Sequence, residues 1–138
     1  MFDGGVELNG LAIIAAALAY YVLGAVWFTP LFGALYDKAL DTKRSPNQKW
    51  PMLYYIGPLV SAFAASIATA LFVDALQIVH LSDALLLGLI VGVGYAMSIS
   101  FNNAINPKTP RPLLYGAVTG SYHVVGMMLT AAILYWMS

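Results

Sequence analysis

Four long apolar stretches fill most of this chain: roughly Leu8 to Phe28, Leu53 to Val73, Ala84 to Ile105 and Leu113 to Trp136. A helix needs about 20 apolar residues to cross the hydrocarbon of a bilayer, and each stretch has that length. None holds an Asp, Glu, Lys or Arg near its centre. Backbone polar groups in lipid must be satisfied inside their own segment, so these stretches are expected as helices and not as open strands. The expected fold class is all-α, a polytopic membrane protein with a bundle of four transmembrane helices, and residues 1–138 form a single membrane domain. Only 9% of residues are charged and 61% are hydrophobic, whereas a soluble domain carries about a quarter charged residues. The net charge is zero, which leaves no electrostatic case for nucleic acid. The lack of cysteine removes disulfides and thiol catalysis. Met1 to Gly10 holds Asp3 and Glu7 and no basic residue. A cleavable signal needs a basic start, so the first stretch is expected to be a retained helix.

The six basic residues lie in two of the three gaps. Lys38, Lys43, Arg44 and Lys49 fall between spans one and two, and Lys108 and Arg111 between spans three and four. The remaining gap has Asp74, just past span two, with His80 and Asp83, and no Lys or Arg. The positive-inside rule then puts both basic loops in the cytoplasm and both termini outside. Trp27, Phe28, Trp50, Tyr54, Tyr55 and Tyr115 are expected as the inner aromatic belt, with Tyr135 and Trp136 in the outer one. Trp27, Pro30 and Trp50 are the candidate interfacial anchors. Leu31, Leu35 and Ala39 stand at helical spacing, so Leu31 to Leu40 is expected as a short amphipathic helix in the headgroup layer. Pro46 to Pro51 reads as an extended connection. The short proline-rich turn from Asn106 to Pro112 makes spans three and four antiparallel neighbours. Pro51-Met-Leu-Tyr54 and Pro112-Leu-Leu-Tyr115 open spans two and four alike, a weak echo of a duplicated two-helix unit.

Small residues recur every four positions: Gly88, Gly92, Ala96 and Ser100 in span three, Gly116 and Gly120 in span four, and Ala62, Ser66 and Ala70 in span two. Such ridges let helix backbones approach closely where lipid offers no hydrophobic drive. They are more numerous than one central seam of four helices needs, so a homo-oligomer is expected, with a symmetric dimer as the default.

His123 is the most informative single residue. It lies about 15 Å into span four at helical rise, near the bilayer midplane. Thr119, Gly120, Met127 and Thr130 share its face, so the ring should point into protein. A charged imidazolium at that depth is costly, and an ionisable residue there is a functional hypothesis by default. Three readings stand side by side: a neutral ring bonded to a Ser, Tyr or Asn of a neighbouring helix, a gate or proton relay, and a haem or metal ligand. The residues favour the first, since no second His, Cys or carboxylate shares this depth. Tyr20 and Tyr21, mid-span in helix one, can reach either His123 or the polar patch of span three around Ser98 and Asn102, and Tyr122 adjoins His123 in sequence. Tyr95, Ser98 and Asn102 form a second polar patch on one face of span three, read either as glue between helices or as a hydrated vestibule. Gly57-Pro58 should loosen or kink the inner third of span two. Asp74, His80 and Asp83 read as a solvated outer loop. No phosphate-binding loop, nucleophile elbow, zinc-protease helix or dinucleotide fingerprint occurs, so no enzyme, metal or cofactor is expected.

The chain resembles the bacterial four-span membrane proteins grouped as domain of unknown function 1761. Two stretches carry the likeness. The first is Asn9 with the run from Leu23 to Gly33, which reads Leu-Gly-Ala-Val-Trp-Phe-Thr-Pro-Leu-Phe-Gly. The second is Gly120-Ser-Tyr122-His123-Val-Val125, followed by Ala131-Ala-Ile-Leu134 and Trp136. The chain departs from the family before span four, where an acidic loop residue is expected and only Lys108 and Arg111 stand. The resemblance implies the four-span fold and a bacterial inner membrane, points to Trp27, Pro30 and His123, and supplies no activity.

Two function classes follow from these residues. The first is permeation or transport of a small solute or ion by an oligomeric bundle, along the His123 face and the Ser98/Asn102 patch. The second is a structural or accessory subunit that packs against a larger membrane complex or binds lipid. The number of polar and small groups near the midplane leans towards permeation.

Overall fold

The computed structural model describes residues 4–138; the part of the amino-terminal reading that rests on Met1 to Asp3 lies outside the described residues. Four helices are long and apolar enough to cross a membrane: α1 (Gly10–Leu31), α3 (Leu53–Ala75), α4 (Leu81–Ala104) and α5 (Pro112–Met137). A short helix α2 (Gly33–Leu40) follows the first. The expected spans are met to within a few residues. Asp74, expected just past span two, belongs to its last turn.

Local chemistry sets the ends. Asn9 caps α1, its Oδ1 accepting from the backbone N–H groups of Leu11 (3.0 Å) and Ala12 (3.1 Å). The same side chain donates through Nδ2 to the Met137 carbonyl at 2.6 Å, so one residue satisfies the start of α1 and the end of α5. The foot of α1 widens into a π-helical turn over Trp27–Leu31, closed by Phe32 N–H to the Trp27 carbonyl at 2.7 Å. Pro30 lies inside this turn; proline lacks an N–H and crowds the carbonyl four residues back, and a wider turn relieves both problems. The chain then turns at Phe32, so the interfacial helix starts at Gly33 and not at Leu31. It ends at Asp41, whose left-handed φ of 51° breaks the helix.

The last span is the core. Of its most apolar stretch 56% is buried, against 28% for α1 and α3 and 17% for α4. The other three spans pack around α5, and α1 also packs on α3. The tight third loop makes α4 and α5 neighbours, as expected. Spans α3 and α4 do not pack on one another along their length.

The seam between α4 and α5 exchanges small residues for bulk in both directions. A Cβ on Gly88 would stand 2.5 Å from the Met128 Cα, and one on Gly92 2.8 Å from the Val124 Cα. In return Met97 lies against Gly120, and Phe101 against Gly116. The expected four-residue ridge of Gly88, Gly92, Ala96 and Ser100 therefore breaks after Gly92. A second π-helical turn, over Gly92–Met97, adds one residue to the turn, and the seam continues through Met97 and Phe101. Ala96 and Ser100 rotate away and are only half-buried.

On the α1 side, Gly126 lies under the Tyr20 ring and Gly24 under the Tyr122 hydroxyl. Ala62, Ser66 and Ala70 form the buried stripe of α3. Of the small faces counted in the sequence, those of Gly88, Gly92, Gly116, Gly120, Ala62, Ser66 and Ala70 are thus occupied inside one chain, while Ala96 and Ser100 are not in the seam. Helix α3 runs unbroken through Pro58, but from Leu53 to Ser61 none of its residues is buried.

At the basic end, α2 is fastened to the start of α5. The Arg111 N–H donates to the Ala39 carbonyl at 3.2 Å, and its guanidinium bonds the Lys38 carbonyl and the Asp41 carboxylate. Tyr36 packs between Phe28 (5.0 Å) and Tyr115 (5.5 Å). Burial pushes its phenol above the ordinary tyrosine range, with Tyr115 adding to the effect. Of the expected apolar face only Ala39 is buried, while Leu31 and Leu35 are exposed. Protein takes the Tyr36/Ala39 side, and the leucines are left for lipid.

Candidate functional site

The midplane polar groups gather where α1 crosses α5. The Tyr20 hydroxyl lies 2.5 Å from His123 Nδ1. Tyr122 lies edge-on to Tyr20, with ring centroids 5.3 Å apart, and 4.7 Å from the His123 ring. Its hydroxyl donates to the Tyr20 carbonyl at 3.4 Å. Trp27 closes the group from the basic end: its indole N–H donates to the Val118 carbonyl at 3.0 Å, and its ring stands 6.4 Å from Tyr122. Helix spacing produces this arrangement. On α1, Tyr20, Gly24 and Trp27 share a face, and on α5 Val118, Tyr122 and Gly126 do. The glycine of each helix receives an aromatic ring of the other.

Of the readings of His123, the neighbour-bonded ring is the one this geometry matches, and the neighbour is Tyr20. The ring is half-buried. Thr119, on the same face, is buried and turns its hydroxyl back to the Tyr115 carbonyl at 2.8 Å. Gly120 is filled by Met97, as Gly116 is by Phe101. Among the described residues, no group of three or more His, Cys, Asp or Glu side chains is placed to hold a metal ion.

The second polar patch does not join this cluster. Ser98 and Asn102 are exposed on α4, and Tyr95 is 67% exposed beside them. The Ser98 hydroxyl bonds its own helix, at the Gly94 (2.7 Å) and Tyr95 (3.1 Å) carbonyls. The reason is the π-helical turn: by passing the seam to Met97 and Phe101, it leaves Ser98 and Asn102 on the outward side. The aromatic anchors also divide. Trp50 is exposed and lies against Tyr54, ring centroids 5.5 Å apart. Pro30 is exposed in its wide turn. Trp27, expected at the interface, faces inward and ties two helices together.

Sequence reading missed two hydroxyls. Ser66 Oγ and Thr130 Oγ1 are fully buried and have no hydrogen-bond partner among the described residues. Ala62 clusters with Met127, and Ala70 with Leu134, so these hydroxyls share one depth on facing stripes of α3 and α5. The four-residue run Ala62, Ser66, Ala70 signalled the stripe but not the unpaired oxygen.

The end of the bundle away from the basic loops carries a shallow cleft of ≈ 180 Å³ whose lining includes Glu7, Asn9, Asp74, Gln77 and Ser138. It lies far along α1 and α5 from the tyrosine–histidine group.

Comparison with known proteins adds one finding. The chain has no match among curated proteins and none among solved structures. A family profile described as "Protein of unknown function (DUF1761)" matches residues 11–135, which covers the four spans but for Gly10, Trp136 and Met137, with the interfacial helix and every residue of the midplane cluster. This four-helix membrane protein therefore belongs to the DUF1761 family.

Proposed function

We propose that the chain is a structural or accessory membrane subunit, without catalytic activity of its own, that packs against a larger membrane complex or against lipid. One observation carries this reading: the polar groups that a solute path would need stand on two different surfaces. Tyr20, Tyr122 and His123 bond to one another between α1 and α5, while Ser98 and Asn102 lie outward on α4. The residues between them are seam, filled by Met97 and Phe101 against glycine. The buried polar groups thus act as glue between helices.

The even number of spans and the basic loops support a cytoplasmic placement of residues 41–52 and 105–111 in a bacterial inner membrane, with both termini outside. A homo-oligomer belongs to the same proposal, and its contact would use the exposed faces of α3 and α4, since the small ridges are taken within the chain.

Permeation stays as the second reading on one observation, the half-buried state of His123 at mid-depth. Thiol labelling separates the two, because the chain has no cysteine. Thr119→Cys and Met127→Cys, each placed singly in native membranes, are expected to resist a small water-soluble thiol reagent. Lys108→Cys in the third loop should label readily. Rapid labelling of Thr119→Cys and Met127→Cys in folded protein would mean that water reaches the midplane, and the accessory reading would give way to permeation.

A further inference from the structure

We propose that the second ring nitrogen of His123 is a binding site for a neutral, membrane-dissolved carbonyl compound of the quinone class. Nδ1 is already taken by the Tyr20 hydroxyl at 2.5 Å. A phenol donates more strongly than a neutral imidazole N–H, and an imidazole nitrogen accepts more strongly than a phenol oxygen. The hydroxyl therefore donates to Nδ1 and fixes the tautomer that carries its proton on Nε2. That N–H forms no hydrogen bond to any described residue. An unsatisfied donor in hydrocarbon is costly, so the site favours an acceptor brought by something else.

The place where the ring opens is also defined. At about 100° per residue around α5, His123 points between two occupied directions. Tyr122 and Gly126 meet α1 on one side, and Gly120 and Val124 meet α4 on the other. The gap between belongs to α3, but only from Ala62 outward. Ala62 clusters with Tyr122 and Met127, whereas Leu53 to Ser61 have no buried residue. His123 thus lies at the depth where α3 stops packing on α5. Since α3 and α4 do not pack on one another, the half-buried ring faces the side of the bundle left between them. Val91 borders the cluster from α4.

The depth selects the ligand. His123 stands about 16 Å along α5 from its basic end, close to the middle of a core about 30 Å thick. Phospholipid headgroups and their esters are held at the interface, too far away to reach it. The occupant must be neutral, since a charge at this depth is disfavoured. It must also carry an acceptor on an otherwise apolar body. A quinone ring carbonyl on an isoprenoid or alkyl tail meets these conditions. The site needs no partner protein, so it stands apart from the accessory reading.

The test uses the whole protein in lipid nanodiscs and decylubiquinone as probe, with quenching of tryptophan fluorescence as readout. Saturable quenching is expected. His123→Phe, which keeps a ring and removes the donor, should weaken binding by about tenfold. His123→Gln, which restores an N–H donor, should bind within about threefold of wild type by the same relation. Val125→Phe, on the opposite exposed face, should leave binding unchanged. Wild-type affinity in a folded His123→Phe protein, or quenching that never saturates, would overturn the proposal. Displacement of the probe by dioleoylglycerol at equal concentration would overturn the quinone assignment in favour of a glyceride.

Discussion

The two flanks of α5 hold their neighbours by different means. Towards α4 the contact is packing on small residues: Gly88 and Gly92 receive the main chain at Met128 and Val124, and Gly120 and Gly116 receive the Met97 and Phe101 side chains. Towards α1 the contact is ring on small residue, and it carries hydrogen bonds: Tyr20 to His123, Tyr122 to the Tyr20 carbonyl, and Trp27 to the Val118 carbonyl. A backbone cannot step aside, whereas a side chain can move a few tenths of an ångström. The α4 flank is therefore shape alone, and it is unforgiving at Gly88 and Gly92. The α1 flank is adjustable in shape, and its specificity resides in polar geometry. Function in a membrane bundle is better sought on the second kind of surface, where a small shift is tolerated and a polar group can change partner.

Three substitutions test that contrast, and the largest effect belongs to the rigid flank. Gly88→Ala places a methyl 2.5 Å from the Met128 Cα and should destabilise the fold by roughly 3 kcal/mol, the upper end of ordinary overpacking costs. Reversible unfolding in mixed micelles measures this, and a loss below that of Gly126→Ala would remove the distinction between the flanks. On the adjustable flank, Tyr20→Phe deletes one hydroxyl and keeps the ring. It should cost about 1 kcal/mol, the usual size of an interhelical hydrogen bond in a membrane, and it should be non-additive with His123→Phe in a double-mutant cycle. Additive losses would show that the two side chains do not act as a pair. Gly94→Ala is the smallest case: its methyl meets nothing within 4 Å, so stability should stay within about 0.5 kcal/mol of wild type. A larger loss there would point to a contact made by another molecule on the exposed face of α4.

The spans could be read from the sequence because bilayer thickness sets their length and because basic residues occupy only two of the three gaps. The pairing of His123 was also legible in kind: a buried ring needs a partner, and Tyr20 lies at the matching depth of α1. The inward turn of Trp27 and the outward turn of Ser98 and Asn102 were not. Trp27 precedes its π-helical turn, over Trp27–Leu31, and faces inward by the regular spacing it shares with Tyr20 and Gly24, which its reading as an interfacial anchor passes over. Ser98 and Asn102 depend on a second π-helical turn, over Gly92–Met97, where one added residue rotates everything beyond it by about 100°. Pro30 gives a local reason for the first turn. The second has no such residue. It is set by the fit of Met97 and Phe101 into glycines of another helix, which a pattern read along one strand of sequence does not contain.

The central position of α5 also bears on how the protein is made. Of the four spans it leaves the ribosome last, so α1, α3 and α4 enter the bilayer before the helix they pack around exists. During that interval Tyr20, Trp27 and the glycines of α4 stand in lipid without partners, and the nascent chain offers the polar, loosely held surface that membrane chaperones and proteases recognise. Completion of α5 ends this exposure in one step, and a chain cut short before Pro112 would never leave it.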